Sequence, residues 1–221
     1  MKIHFISPEN PPPGDPLLCL TVNELARAAR FRFPEDAAAW VRCRATLRHI
    51  IGADLGIPAK EVPLIYSDFG KPMLAAPYDF LHFNLSHCRD LALLAVSRHG
   101  PIGIDLEPAS RAADLLGCEN SFCHPAEISA LADEKSARGA QLLKIWVAKE
   151  ALLKAIGTGF SIPPEKLQII FEKQEVQFLF DPPLQDAQIQ RIVSLAHPRL
   201  EKFVAFLSYQ SATSFPEMFY A

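Results

Sequence analysis

The stretch at residues 91–108, LALLAVSRHGPIGIDLEP, constrains the fold more than any other. Two short apolar runs, LALLAVS and IGIDLEP, flank His99-Gly100-Pro101, and a Gly-Pro step punctuates a chain too firmly for one helix to run through. The segment reads as two strands joined by a short turn. Other strand-like runs are KIHFI near the start, VPLIYS and FNLS on either side of the turn DFGKP, and later LQIIF, VQFLF and KFVAFLS. Helical patterns fall at residues 21–30, 34–52, 125–131 and 141–156. In the second of these, Ala37, Trp40, Val41, Leu47 and Ile51 form an apolar stripe. Strands joined by short turns, with a long helix in each half, give an α+β fold with antiparallel sheets.

The chain has 221 residues, 49% hydrophobic and 21% charged, which is the composition of a globular protein with a sizeable core. Its net charge of -3 argues against a general nucleic-acid binder, whose footprint is basic. Arginines nonetheless crowd one window: Arg27, Arg30, Arg32, Arg42, Arg44 and Arg48. Such a cluster is either a solvated helix face or a site for phosphate or an acidic surface. The five cysteines contain no CxxC pair and are odd in number, so a disulfide framework is not expected. Cys118, Cys123 and His124 lack a second ligand pair at a zinc-finger spacing. The N-terminal apolar run is short for a signal peptide, and no apolar run approaches the roughly 18 residues that span a bilayer. The expectation is a soluble cytoplasmic protein with no membrane partner.

Three short stretches can carry chemistry. In GIDLEP, strand alternation places Asp105 and Glu107 on one face and Ile104 and Leu106 on the other. Paired carboxylates repel unless a cation lies between them, so the pair is either a divalent-metal site or a solvated sheet edge. In KIWVAKEALLKAIGTG, Trp146, Glu150 and Lys154 recur every four residues and share one helix face. Glu150 is a candidate third carboxylate, and Lys149 and Lys154 suit phosphate oxygens. In FNLSH, Ser86 has no G-x-S-x-G elbow around it; with His87 it suits phosphate binding, the alternative being an ordinary loop histidine. No Walker-type loop and no kinase-like glycine loop is present.

Taken in order, GKP, FNLSH, GIDLEP and WVAKEALLK resemble the surfactin-synthetase-activating type of 4'-phosphopantetheinyl transferase. The resemblance implies two similar α+β halves in one monomeric chain, related by a pseudo-twofold axis. Residues 1–101 would form the coenzyme A-binding half and residues 102–221 the half with the metal site and catalytic helix. It implies transfer of phosphopantetheine from coenzyme A to a serine of an apo acyl or peptidyl carrier protein, with release of 3',5'-ADP. Asp105, Glu107 and Glu150 would hold magnesium or manganese, Glu150 would serve as base, and Lys154 would neutralise the pyrophosphate. Lys71 and Pro72 would lie at the adenine end, and Ser86, His87, Arg27 and Arg44 would contact phosphates. Glu127 matches an acidic position near the family's site. An inactive coenzyme A binder and a magnesium-dependent phosphoanhydride hydrolase are the competing readings.

Overall fold

The computed structural model describes residues 1–7, 11–88, 91–172, 175–184, 190–210 and 219–220. Its first sheet is built from β1 (Lys2–Ile6), β4 (His82–His87), β5 (Ala92–Ser97) and β11 (Phe219–Tyr220), in the order β11-β1-β5-β4. The second holds β6 (Ile102–Pro108), β7 (Leu167–Phe171), β8 (Val176–Phe180), β9 (Gln190–Ser194) and β10 (Phe203–Gln210), in the order β6-β10-β9-β8-β7. Every pairing is antiparallel except that of β11 with β1. A small hairpin joins β2 (Leu64–Tyr66) to β3 (Pro72–Leu74).

Two 22-residue helices cover the sheets, α2 (Pro34–Leu55) and α4 (Lys135–Ile156), and the shorter α1 (Val22–Ala28) and α3 (Pro125–Ser129) precede them. α1 opens on a capping box in which Thr21 and Glu24 satisfy each other's main-chain N–H groups. α2 and α4 both end at a glycine in the left-handed region, Gly56 and Gly157.

Burial sorts the apolar side chains into three clusters. Cys43, Leu47 and Ile51 of α2 pack with Leu94 and Val96 of β5. Leu93 and Ala95, on the opposite face of the same strand, pack with Ile102, Ile104, Leu106 and Leu207 between the sheets. Beyond the second sheet, Leu142, Ala148 and Leu152 of α4 meet Ile169, Ile192 and Phe206. β5 is therefore buried on both faces, which is why its sequence is a continuous apolar run without alternation.

The two strands read on either side of His99-Gly100-Pro101 are β5 and β6, and they do not pair with each other. β5 already has β1 on one edge and β4 on the other, so the turn carries the chain into the second sheet, where β6 pairs with β10. The turn DFGKP closes onto β3, three residues long and absent from the sequence reading, and β4 starts later, at His82. β9 was likewise not expected.

α4 lies against β6 at Gly103, where a Cβ would stand 2.1 Å from the Ala151 carbonyl oxygen and 2.3 Å from the Ala155 nitrogen. Both atoms are main chain and cannot move aside. Gly103→Ala is expected to destabilise the protein by about 3 kcal/mol, the upper range for overpacking, measured as a lowered urea midpoint.

Candidate active site

β6 turns Asp105 and Glu107 toward α4, because they share the face of Gly103 while Ile104 and Leu106 enter the core between the sheets. From α4, Lys154 donates to Asp105 Oδ1 at 2.6 Å and stands 4.0 Å from Glu150 Oε2. Glu107 is held by Arg111, four residues on. Burial pushes the Glu150 carboxyl up to about 7, with Asp105 and Glu107 raising it further and Lys154 opposing. Asp105 is 4% exposed, and its Oδ2 is buried without a hydrogen-bond partner.

As placed, no three His, Cys, Asp or Glu side chains among the described residues stand close enough together to ligate one ion. The donor set nevertheless fits a hard divalent cation. It offers two carboxylates from β6, one oxygen of them bare, and from α4 a third carboxyl that burial, with Asp105 and Glu107, holds above its usual range.

Beside this cluster a cavity of about 190 Å³ is lined by Arg27, Trp40, Arg44, Tyr66, Pro72 and His87, among others. The guanidinium carbons of Arg27 and Arg44 lie 5.5 and 5.3 Å from the Trp40 ring centre. Arg44 is buried and close to Glu24, at 3.6 Å, yet its Nη1 has no hydrogen-bond partner. A cationic donor left over in an aromatic cavity suits an anionic aromatic ligand, such as a nucleotide. Arg48, by contrast, is structural. It bonds Glu24 at 2.8 Å and three main-chain oxygens, of Ala59, Lys60 and Val62.

Some predicted residues do not join the cluster as read. Glu127 receives the Lys149 ammonium at 2.7 Å and the main-chain N–H groups of His124 and Ile169, so both its oxygens are engaged. Lys149 is 1% exposed and also donates to the carbonyls of Phe122 and Pro164, so it does not present its charge to a phosphate. The Lys71 ammonium turns to the carbonyls of Ile102, Lys154 and Ala155, at the last turn of α4, although the flanking Gly70 and Pro72 line the cavity. The Ser86 hydroxyl donates to Asp105 Oδ1 at 2.8 Å. Cys123 is buried and its thiol is pushed up to about 12, the reverse of a zinc-ligating thiolate. Sequence reasoning missed Arg111, whose spacing of four from Glu107 was the available signal, and Tyr66, which carried none.

A profile described as the 4'-phosphopantetheinyl transferase superfamily matches residues 101–206, and one described as 4'-phosphopantetheinyl transferase, N-terminal, matches residues 15–99. The chain belongs to the 4'-phosphopantetheinyl transferase family. It is 40% identical to the 4'-phosphopantetheinyl transferase HetI of Nostoc sp. over 64% of this chain and 61% of that protein. It is 33% identical to the 4'-phosphopantetheinyl transferase psf-1 of Bacillus pumilus, over 64% of this chain and 60% of that one. The human L-aminoadipate-semialdehyde dehydrogenase-phosphopantetheinyl transferase is 30% identical over 66% of this chain and 51% of its own. The chain thus spans about three fifths or less of the length of these curated relatives. A solved holo-acyl-carrier-protein synthase from Thermotoga maritima aligns with 49% of this chain and 61% of its own, at TM-score 0.38 and 16% identity. No helix among the described residues is long and apolar enough to cross a membrane.

Two outcomes follow from the charges. Glu127→Gln leaves the Lys149 ammonium buried without its counter-ion and is expected to cost about 3–5 kcal/mol in urea unfolding, whereas adding Lys149→Met, which removes the unpaired charge while the amide oxygen still accepts a main-chain N–H, recovers part of that loss. Burial lowers the Lys71 amine from 10.5 to about 8, so between those values the unfolded chain binds more protons than the folded one. Stability is therefore expected to rise with pH through that window, and Lys71→Met to flatten the rise in urea midpoints taken along it.

Proposed function

We propose that this chain transfers 4'-phosphopantetheine from coenzyme A to a serine of an apo acyl or peptidyl carrier protein, releasing 3',5'-ADP, as a member of the surfactin-synthetase-activating type. The observation that carries the reading is the juxtaposition, in a chain of this family, of the Asp105, Glu107, Glu150 and Lys154 cluster with the arginine- and aromatic-lined cavity. Residues 1–101 supply the cavity and residues 102–221 the carboxylates, in keeping with two paired halves in one monomeric, cytoplasmic chain.

Trp40, Tyr66 and the main chain around Pro72 receive the nucleotide, while Arg27, Arg44 and His87 hold its phosphates. Asp105, Glu107 and Glu150 hold a magnesium ion, which when bound neutralises the pyrophosphate and polarises it toward attack. Lys154, with its ammonium at the edge of the carboxylates, offsets negative charge that builds on the leaving phosphate. The carrier serine hydroxyl attacks the phosphorus that bears the pantetheine arm, and its proton passes to Glu150 directly or through one water. Positioning and charge neutralisation supply most of the rate in phosphoryl transfer, and these side chains provide both.

Apo carrier proteins incubated with this chain, coenzyme A and magnesium are expected to gain the mass of one phosphopantetheine group, and to lose that gain in EDTA. Coenzyme A cleaved without a gain on any carrier would make the protein a hydrolase; coenzyme A bound without turnover would make it a binder. Glu150→Gln is expected to lower the transfer rate by about 100-fold or more with the circular dichroism spectrum unchanged. Near-normal transfer by that variant would remove Glu150 from the mechanism.

A further inference from the structure

β4 and β6 are the terminal strands of their sheets and face each other across the junction. A terminal strand presents main-chain N–H groups with no strand to receive them, and burying such groups without an acceptor is unfavourable. β4 meets those of β6 with side chains. Asn84 Oδ1 accepts from the Ile104 N–H at 2.8 Å, and Ser86 Oγ accepts from the Leu106 N–H at 3.2 Å. Both links join residues 20 apart in sequence, so the two side chains step along β6 in register, and Asp105 lies between the two anchored amides. Asn84 and Ser86 are each 5% exposed.

A hydroxyl has one proton to donate and two lone pairs to accept with. The Ser86 proton goes to Asp105 Oδ1 at 2.8 Å, one lone pair takes the Leu106 N–H, and the Lys154 ammonium stands 3.5 Å from the same oxygen. Nothing remains on this buried hydroxyl with which to bind an anion. Asp105 Oδ1 is fixed by Ser86 and Lys154, which leaves Oδ2 as the bare oxygen.

We infer that Asn84 and Ser86 are positioning residues that hold Asp105 in its ligating pose from the opposite half of the chain, and that Ser86 is not the phosphate contact the family resemblance implies. This rests on the reading of Asp105 as a ligand for a divalent cation. Hydrogen bonds of this kind orient a metal-binding carboxylate before the metal arrives, and their loss weakens the metal, while the arginines of the neighbouring cavity keep their own contacts to Trp40.

The test compares binding of manganese ion, read by electron paramagnetic resonance, with calorimetric binding of coenzyme A in EDTA. Ser86→Ala is expected to weaken manganese by about 10–100-fold, with coenzyme A affinity in EDTA held within about twofold. Ser86→Thr, which keeps the hydroxyl, restores manganese binding. Should the alanine variant not fold, Ser86→Cys keeps the size but donates only weakly and carries the same expectation. Weakened coenzyme A binding with manganese binding unchanged would overturn the inference and return Ser86 to the phosphate pocket. Absence of manganese binding by the unsubstituted protein would overturn the metal reading itself, and this inference with it. Native manganese binding that Ser86→Ala leaves unaltered overturns this inference alone.

Discussion

The close approach of α4 to β6 is the constraint on which the candidate site depends. Position 103 can carry no side chain because the backbone of Ala151 and Ala155 occupies that space. Ala151 and Ala155 are one helical turn apart, so they meet the strand as a pair, and Glu150 and Lys154 stand one residue before each. Along the strand, alternation from Gly103 brings Asp105 and Glu107 to the same helix. One small residue and two periodicities thus place four charged side chains against each other.

Leftover bonding capacity separates site from scaffold among the buried charges. Glu127 has both oxygens occupied, and Lys149 reaches a carboxylate and two carbonyls. Arg48 is likewise satisfied, by Glu24 and three carbonyls. Such groups hold elements together, and removing one partner exposes the full desolvation cost of the other. Glu24 Oε1, also without a hydrogen bond, lies 3.6 Å from Arg44 Nε; Asp105 Oδ2 and Arg44 Nη1 are as buried and have no hydrogen-bond partner. An unpaired buried charge is unfavourable in isolation and is retained where a ligand supplies the missing half. The two orphans have opposite sign, one suited to a cation and one to an anion, as a metal-bound polyphosphate requires.

The sequence disclosed what depends on local periodicity. Strand alternation gave the Asp105 and Glu107 pair, and a spacing of four gave Glu150 with Lys154. It could not separate Lys149 from Lys154, or Arg48 from Arg44, because each choice turns on which neighbour packs against which face of the helix. The Ser86 contact with Asp105 was hidden for the same reason: Asp105 lies on another sheet, 19 residues later. That the strands flanking His99-Gly100-Pro101 join different sheets was not legible, because strand pairing is non-local. A turn permits a hairpin, but β5 had already been taken on both edges. β3 escaped notice because three residues beginning with a proline carry almost no periodic signal.

The boundary between the two family profiles, at residues 99 to 101, coincides with the crossing of the chain from one sheet to the other. On the near side lie Arg27, Arg44 and His87, which line the cavity; on the far side lie Asp105, Glu107 and Glu150. Neither side alone can hold both ends of a metal–polyphosphate, so the proposed chemistry belongs to the junction. Two kinds of bond fix that junction next to the site. Asn84 and Ser86 reach from the first sheet to β6, and Lys71 reaches to the last turn of α4. The strand and the helix that carry the carboxylates are thus each tied to the half that carries the cavity. A small slip at the junction therefore changes the distance between metal and phosphate sites directly, and the buried polar contacts there serve geometry before stability.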